Sequence, residues 1–329
     1  MPAGKPMYQI SELQQIINEQ ISSKRYPVTP KELYEPITYM MGLGGKRMRP
    51  ALLLIACNLF SDDISAAVDP AMAIEVFHNF TLLHDDIMDL APLRRGNQTV
   101  HKKWNTNVAI LSGDVMLVEA YKLLTSINPA LLPDILTIFN RTAVEVCEGQ
   151  QIDMDFEKQE HVSIEQYLEM IRLKTSVLLG ASLKIGALLG GATSADAKLL
   201  YDFGVNMGLA FQLQDDILDV YGDPAKFGKQ IGGDIISNKK TFLLIKARQL
   251  ALGDDAASLQ KWLTSSDLEA KVSAVTALFT KLGVRQLAEA EMERFAEQGF
   301  ASLGQIGSVP ETRKELLRSF ANRLFVRES

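Results

Sequence analysis

From Ala73 to Leu90 the chain reads AIEVFHNFTLLHDDIMDL, a long apolar run without proline or glycine that leads directly into three carboxylates. Few folds can accommodate such a stretch. Its spacing predicts one helix continuing through Asp85, Asp86 and Asp89. At 3.6 residues per turn Asp85 and Asp89 share a stripe, and His78, seven residues earlier, returns to within about 20° of it. Ionised carboxylates half-sunk in an apolar wall repel one another and lose hydration, which is costly unless cations bind between them. Hard divalent ions meet that need, because Mg²⁺ takes a few carboxylate oxygens, keeps several waters and completes its shell with substrate phosphates. Arg94, Arg95 and Gly96 follow shortly, placing cations on a turn suited to phosphate.

A second copy of the pattern, Gln212-Leu213-Gln214-Asp215-Asp216-Ile217-Leu218-Asp219, lies 130 residues further on (215 − 85). Gln212, Asp215, Asp216 and Asp219 again fall on one helical face. One such cluster is an ordinary solvated helix face. Two of them, both in apolar helix, point to a shared chemistry.

Between these motifs the long segments are rich in Leu, Ala, Met, Glu, Lys and Gln, and alternating β-branched runs are scarce. The expected fold is all-α, and 329 residues that are 47% apolar allow a single large helical domain over 1–329. A net charge of −6 without long blocks of like charge argues against nucleic acid as a partner. Cys57 and Cys147 are too few for a disulfide framework or a zinc site, which fits a reducing cytoplasm. No signal-peptide pattern is present. The apolar run Val177 to Ala192 is interrupted by Lys184, so no stable membrane insertion is expected.

Three further stretches carry chemistry. Gly42-Leu43-Gly44-Gly45 precedes Lys46, Arg47 and Arg49 and leads into an apolar helix, bringing amides, helix dipole and cations to one place. A solvated basic loop is the plain alternative. Lys174 interrupts an apolar helical face and needs an anionic partner, unless it snorkels to solvent. A glycine-rich loop containing Lys229 and Gly232-Gly233 leads to Lys239-Lys240-Thr241, next to the second acidic set. The amphipathic segment within residues 1–25 and the chain beyond Phe242 are read as structural.

Taken together, these motifs resemble those of the trans-isoprenyl diphosphate synthases, the polyprenyl synthetases, over nearly the whole length. By that resemblance Lys46, Arg49, His78 and Arg95 bind isopentenyl diphosphate, while Arg94 binds the allylic diphosphate. Asp85, Asp86 and Asp89 match the first aspartate-rich motif, and Phe211, Gln212, Asp215, Asp216 and Asp219 the second. Gln150 and Asp153 fit the family's GQxxD element, Lys174 and Thr175 its KT pair, and Lys229 and Lys239 its later lysines. The resemblance implies an isoprenoid synthase bundle around a deep central cavity, usually a homodimer. It also implies Mg²⁺, about three ions per active site, with Asp85, Asp86, Asp89 and Asp215 as ligands. The six aspartates, Lys174 and Lys239 would then serve ionisation of an allylic diphosphate by charge stabilisation and positioning.

Three other readings compete. A terpene cyclase would carry an Asn/Ser/Glu triad in place of Asp215-Asp216-x-x-Asp219. A non-catalytic subunit would be expected to lose acids from one motif, and a phosphohydrolase would want clustered histidines. For product length, the family pattern places Phe80 and Thr81 five and four residues before the first aspartate. One aromatic ring there, with the uninserted DDIMD, resembles the C20 pattern. Helix geometry sets a competing expectation, since Phe80 shares its stripe with Phe77, His84 and Met88, about 140° from Asp85, and can be core instead.

Overall fold

A computed structural model describes residues 7–223 and 231–325, and these are almost wholly helical. They form two compact units. The first takes in 7–141, Ala181–Tyr201 and Ile306–Leu317; the second takes in Thr142–Gly180, Asp202–Gln305 and the described residues from Arg318 onward.

In the first unit the helices are α1 (Ile10–Ser23), α2 (Lys31–Gly42), α3 (Met48–Phe60), α4 (Ser65–Met88), the short α5 (Val100–Lys103) and α6 (Thr106–Leu124). α3 is apolar all round and is accordingly buried all along from Pro50 to Leu59. Residues 181–189, the later part of α9 (Val177–Leu189), approach α3 closely: a Cβ on Gly186 would stand 2.0 Å from the Leu53 carbonyl oxygen. Glycine is needed there because two backbones meet. α4 packs along α6, where Gly113 leaves room for the ring of His84.

One departure from the sequence reading stands out in this unit. α4 ends at Met88, so Asp89 is its exposed C-cap rather than an interior residue. Leu90 adopts φ 52°, and Ala91 N–H donates to the Asp86 carbonyl at 3.0 Å, which closes the helix end. α1 is amphipathic as the sequence predicts: it buries Leu13 and Ile17 and turns Gln14 and Asn18 toward the loop that precedes α3.

The Arg-Arg-Gly turn is the tip of a small hairpin, β1 (Leu93–Arg94) paired antiparallel with β2 (Asn97–Gln98). Arg95 at φ 53° and Gly96 at φ 76° supply the two positive angles that a tight two-residue hairpin requires. Tyr39 Oη donates to the Gln98 carbonyl at 2.7 Å and ties the hairpin to α2.

The second unit has a continuous apolar core that includes Leu209, Leu213, Ile217, Phe242, Phe279 and Phe295. α8 (Ile164–Ile171) starts at a capping box made by Ser163 and Gln166. A π-helical turn, Arg172–Ser176, separates α8 from α9. That turn faces Gly149 in the later part of α7 (Leu132–Lys158), where a Cβ would stand 2.2 Å from Lys174 N. α10 (Ser194–Tyr221) carries the second acidic set in its last turns. Beyond it the helices Phe242–Leu250, Asp254–Leu263, Leu268–Lys281 and Val284–Gly304 break at Gly253 and Gly283. Among the described residues no helix is long and apolar enough to cross a membrane.

Candidate active site

The Gly-rich loop, α4 and the hairpin bring four cation-bearing or imidazole side chains together in the first unit. Arg49 Nη1 donates to His78 Nε2 at 3.1 Å. Because a guanidinium can only donate, Nε2 is the accepting nitrogen and the ring proton lies on Nδ1. Burial holds His78 well below its usual pKa, and the charges of Arg49, Arg95, Arg94 and Arg47 push it further down. His78 is therefore neutral at pH 7. Arg95 lies against the loop, donating to the Gly44 carbonyl, and its guanidinium occupies the space a side chain on Gly45 would fill. Burial lowers Arg49 to about 10, still fully charged at neutral pH, and its Nε is buried with no hydrogen-bond partner. Lys46 is exposed beside them. A cluster of this kind is chemically suited to a compact, highly charged anion.

Beside this cluster lies the first acidic set. Arg94 Nε donates to both oxygens of Asp86, at 2.8 and 2.9 Å, and its Nη2 lies 3.4 Å from Asp85 Oδ2. Asp86 is buried, and burial raises its pKa against the opposing effect of Arg94. Asp85 is half-buried and Asp89 exposed. Thr81 is turned back on its own helix, donating to the His78 carbonyl at 2.8 Å. Phe80 stacks between Phe77 and His84, with centroids 5.8 and 4.8 Å away, in the ladder its helical stripe predicts.

In the second unit Asp216 is the buried centre of its motif. Tyr167 Oη donates to its Oδ2 at 2.5 Å, and Gln212 Nε2 to its Oδ1 at 3.4 Å. Burial and the charge of Asp234 push Asp216 up to about 7, against Lys239, Tyr167 and Gln212, which pull the other way. Asp219 organises the chain that follows: its carbonyl accepts from Gly232 N–H at 2.6 Å and its Oδ2 from Asp234 N–H at 3.0 Å. Lys174 has the anionic partner its position demanded, Asp153 Oδ2 at 2.6 Å, and Thr175 lies beside it on the π turn. Gln150 has a buried Nε2 with no partner. Lys239 is exposed. Lys229 lies outside the described residues.

Sequence reasoning missed Tyr167 and Asp234, which contribute to the surroundings of Asp216, and the buried pair Arg47 and Glu75. Tyr167 sits 49 residues from its partner and nothing local marks it. Glu75 left a signal, an acid inside an apolar run three residues before His78.

Among the described residues no three His, Cys, Asp or Glu side chains converge closely enough to hold a metal ion by themselves. The donors are hard carboxylates, few in number, next to cations suited to phosphate. That set fits an ion such as Mg²⁺, which takes only one or two protein carboxylates and relies on water and substrate phosphate for the rest.

The model of the polyprenyl synthetase family matches residues 30–281, most of the chain. The chain belongs to the polyprenyl synthetase family. This polyprenyl synthetase is 38% identical over 305 residues to the geranylgeranyl diphosphate synthase of Methanosarcina mazei, with 92% of each chain covered. It is 37% identical over 257 residues to the geranylfarnesyl diphosphate synthase of Natronomonas pharaonis, covering 73% of this chain and 75% of that protein. A crystal structure of a geranylgeranyl pyrophosphate synthase is similar at a TM-score of 0.93 and 42% identity, covering 98% of this chain and 100% of that one. The synthetase thus has the all-α isoprenoid synthase fold and is a trans-prenyltransferase by family.

Proposed function

We propose that this enzyme condenses isopentenyl diphosphate with an allylic diphosphate (dimethylallyl, geranyl or farnesyl) and makes geranylgeranyl diphosphate, C20. The observation that carries the reading is the cluster of Lys46, Arg49 and Arg95 around a neutral His78, with a buried, unpartnered Arg49 Nε. It is a second diphosphate site, separate from the acidic motifs, which a cyclase or a phosphohydrolase would not need.

In the reaction Lys46, Arg49 and Arg95 hold isopentenyl diphosphate through its charged end and leave its double bond free. By the motif resemblance alone, the allylic diphosphate is assigned to Arg94, Lys174, Lys239 and Lys229, with Thr175 and Gln212 as neutral contacts. Bound through Asp85, Asp86, Asp89 and Asp215, Mg²⁺ would supply charge neutralisation that makes diphosphate a leaving group. The allylic C–O bond breaks with its electron pair leaving on diphosphate. The isopentenyl double bond donates the pair that forms the new C–C bond, and the resulting cation loses a proton to the departed diphosphate. Neutral His78 accepts from Arg49 through Nε2 and so fixes where that guanidinium points. Asp153, bonded to Lys174, sets where that ammonium points.

Phe80 is the proposed floor that stops the product at C20. The geranylfarnesyl relative favours a second reading, a C25 product, since the two functions occur at nearly equal identity. We also assign a homodimer, supported by the exposed apolar residues Ile110, Leu111 and Val118 along α6, and a cytoplasmic setting, supported by two unpaired cysteines. The test is transfer of labelled isopentenyl units into an organic-extractable prenyl product, with Mg²⁺ present. Asp85→Ala and Asp215→Ala should remove that activity without loss of helical circular dichroism. Phosphate release without a prenyl product would overturn the assignment.

A further inference from the structure

Arg47 has no part in the chemistry just described, yet it is the most enclosed cation of the Gly-rich loop, with only 4% of its side chain exposed. Its neighbours Lys46 and Arg49 belong to the anion cluster, whereas its own guanidinium points away into the first unit. There Nη1 donates to Glu75 Oε1 at 2.5 Å, Nη2 to the Met41 carbonyl at 2.8 Å, and Nε to Asn18 Oδ1 at 3.3 Å. One planar fork therefore joins α1, the end of α2 and the middle of α4. Lysine could not reproduce that, because a single ammonium lacks the fixed fork geometry.

The backbone bears the cost of this arrangement. Arg47 is the N-cap of α3 and sits at φ 48°, ψ 37°, a left-handed conformation that residues with a Cβ seldom adopt. Strain of this kind persists only where surrounding contacts over-determine it. Glu75 is itself held, its Oε1 accepting from Asn79 Nδ2 at 3.0 Å. α4 thus grips the loop at two points one turn apart, Glu75 on Arg47 and His78 on Arg49. Gln14 Nε2 adds a bond to the Lys46 carbonyl at 2.7 Å.

We propose that Arg47 and Glu75 are positioning residues for the isopentenyl diphosphate site: their buried ion pair locks the loop so that Lys46 and Arg49 face the anion. The inference rests on the assignment of that site above. Its consequence has a definite sign. If Glu75 acted only through its charge, Glu75→Gln would remove a negative group close to Arg49 and Arg95 and tighten binding of an anion. If it positions the loop, the same change weakens binding.

The experiment measures binding of isopentenyl diphosphate by calorimetry without metal, together with steady-state kinetics. Variants are Glu75→Gln and the double substitution Arg47→Met/Glu75→Leu. The double variant replaces a buried ion pair by apolar groups of similar size, so that neither charge is left unpaired. Both should raise the KM and Kd for isopentenyl diphosphate at least tenfold while the KM for the allylic substrate stays within about twofold. Tighter or unchanged binding in Glu75→Gln, or wild-type affinity in a normally stable double variant, overturns the proposal and leaves Arg47 a stabilising residue only. If the single variant does not fold, the double variant alone decides. Failure of the unaltered enzyme to bind isopentenyl diphosphate would instead refute the site assignment.

Discussion

Gly149→Ala separates a close-packing account from simple helix propensity, because the two disagree in sign. Gly149 lies inside α7, where alanine is ordinarily favoured over glycine by about 0.8–1.0 kcal/mol. Here the added Cβ would stand 2.2 Å from Lys174 N and 2.7 Å from both Leu173 C and Lys174 Cα. These are backbone atoms and cannot rotate aside. Ordinary contact begins near 3.4 Å, so α7 and the π turn must separate by about 1.2 Å (3.4 − 2.2) along that direction. Overpacking of this kind costs roughly 1–3 kcal/mol, more when backbone must move, which outweighs the propensity gain. The net expectation is a loss of about 1–2 kcal/mol in chemical denaturation. The displaced residue is Lys174, so the KM for the allylic diphosphate should rise while that for isopentenyl diphosphate holds. A more stable variant with unchanged kinetics would refute both the contact and its link to Lys174.

Other outcomes follow from the two proposed diphosphate assignments. Arg49→Ala should raise the KM for isopentenyl diphosphate and Lys174→Ala that for the allylic substrate, each by roughly 10- to 100-fold, the cost of one charge-assisted contact of about 1.5–3 kcal/mol; exchanged effects would reverse the pocket assignment. Asp216 has a folded pKa raised from 3.8 to about 7, so the folded state holds its proton more tightly than the unfolded one. Without metal, the contribution of Asp216 to stability should therefore be fully present below pH 4 and be lost as pH rises through 7. Asp216→Asn should remove that fall, and equal pH slopes in thermal unfolding of the two proteins would contradict it. Phe80→Ala should lengthen the product by at least one isoprene unit in chromatography of the dephosphorylated prenol; an unchanged product moves the floor elsewhere.

The helices and both acidic motifs were legible because their signal is local. An apolar run without breakers can only be a buried helix, and acids within it require a partner. The same logic anticipated an anion for Lys174, and Asp153 met it. What could not be read depends on distant pairing or on backbone angles. Tyr167 meets Asp216 across 49 residues, and the π turn at Arg172–Ser176 lies against Gly149, more than twenty residues earlier in the chain. The sequence reads Lys46-Arg47-Met48-Arg49 as three cations of one purpose, whereas a left-handed Arg47 turns one of them inward. That Asp89 is the exposed cap of its helix also rests on a backbone angle, the positive φ of Leu90.

The central claim is that this enzyme adds isopentenyl units and stops at C20. Purified protein incubated with Mg²⁺, labelled isopentenyl diphosphate and farnesyl diphosphate, followed by dephosphorylation and reverse-phase chromatography, tests it most directly. A single labelled geranylgeraniol peak is the predicted result. A dominant prenol longer than C20, or no labelled prenol at all, would contradict it.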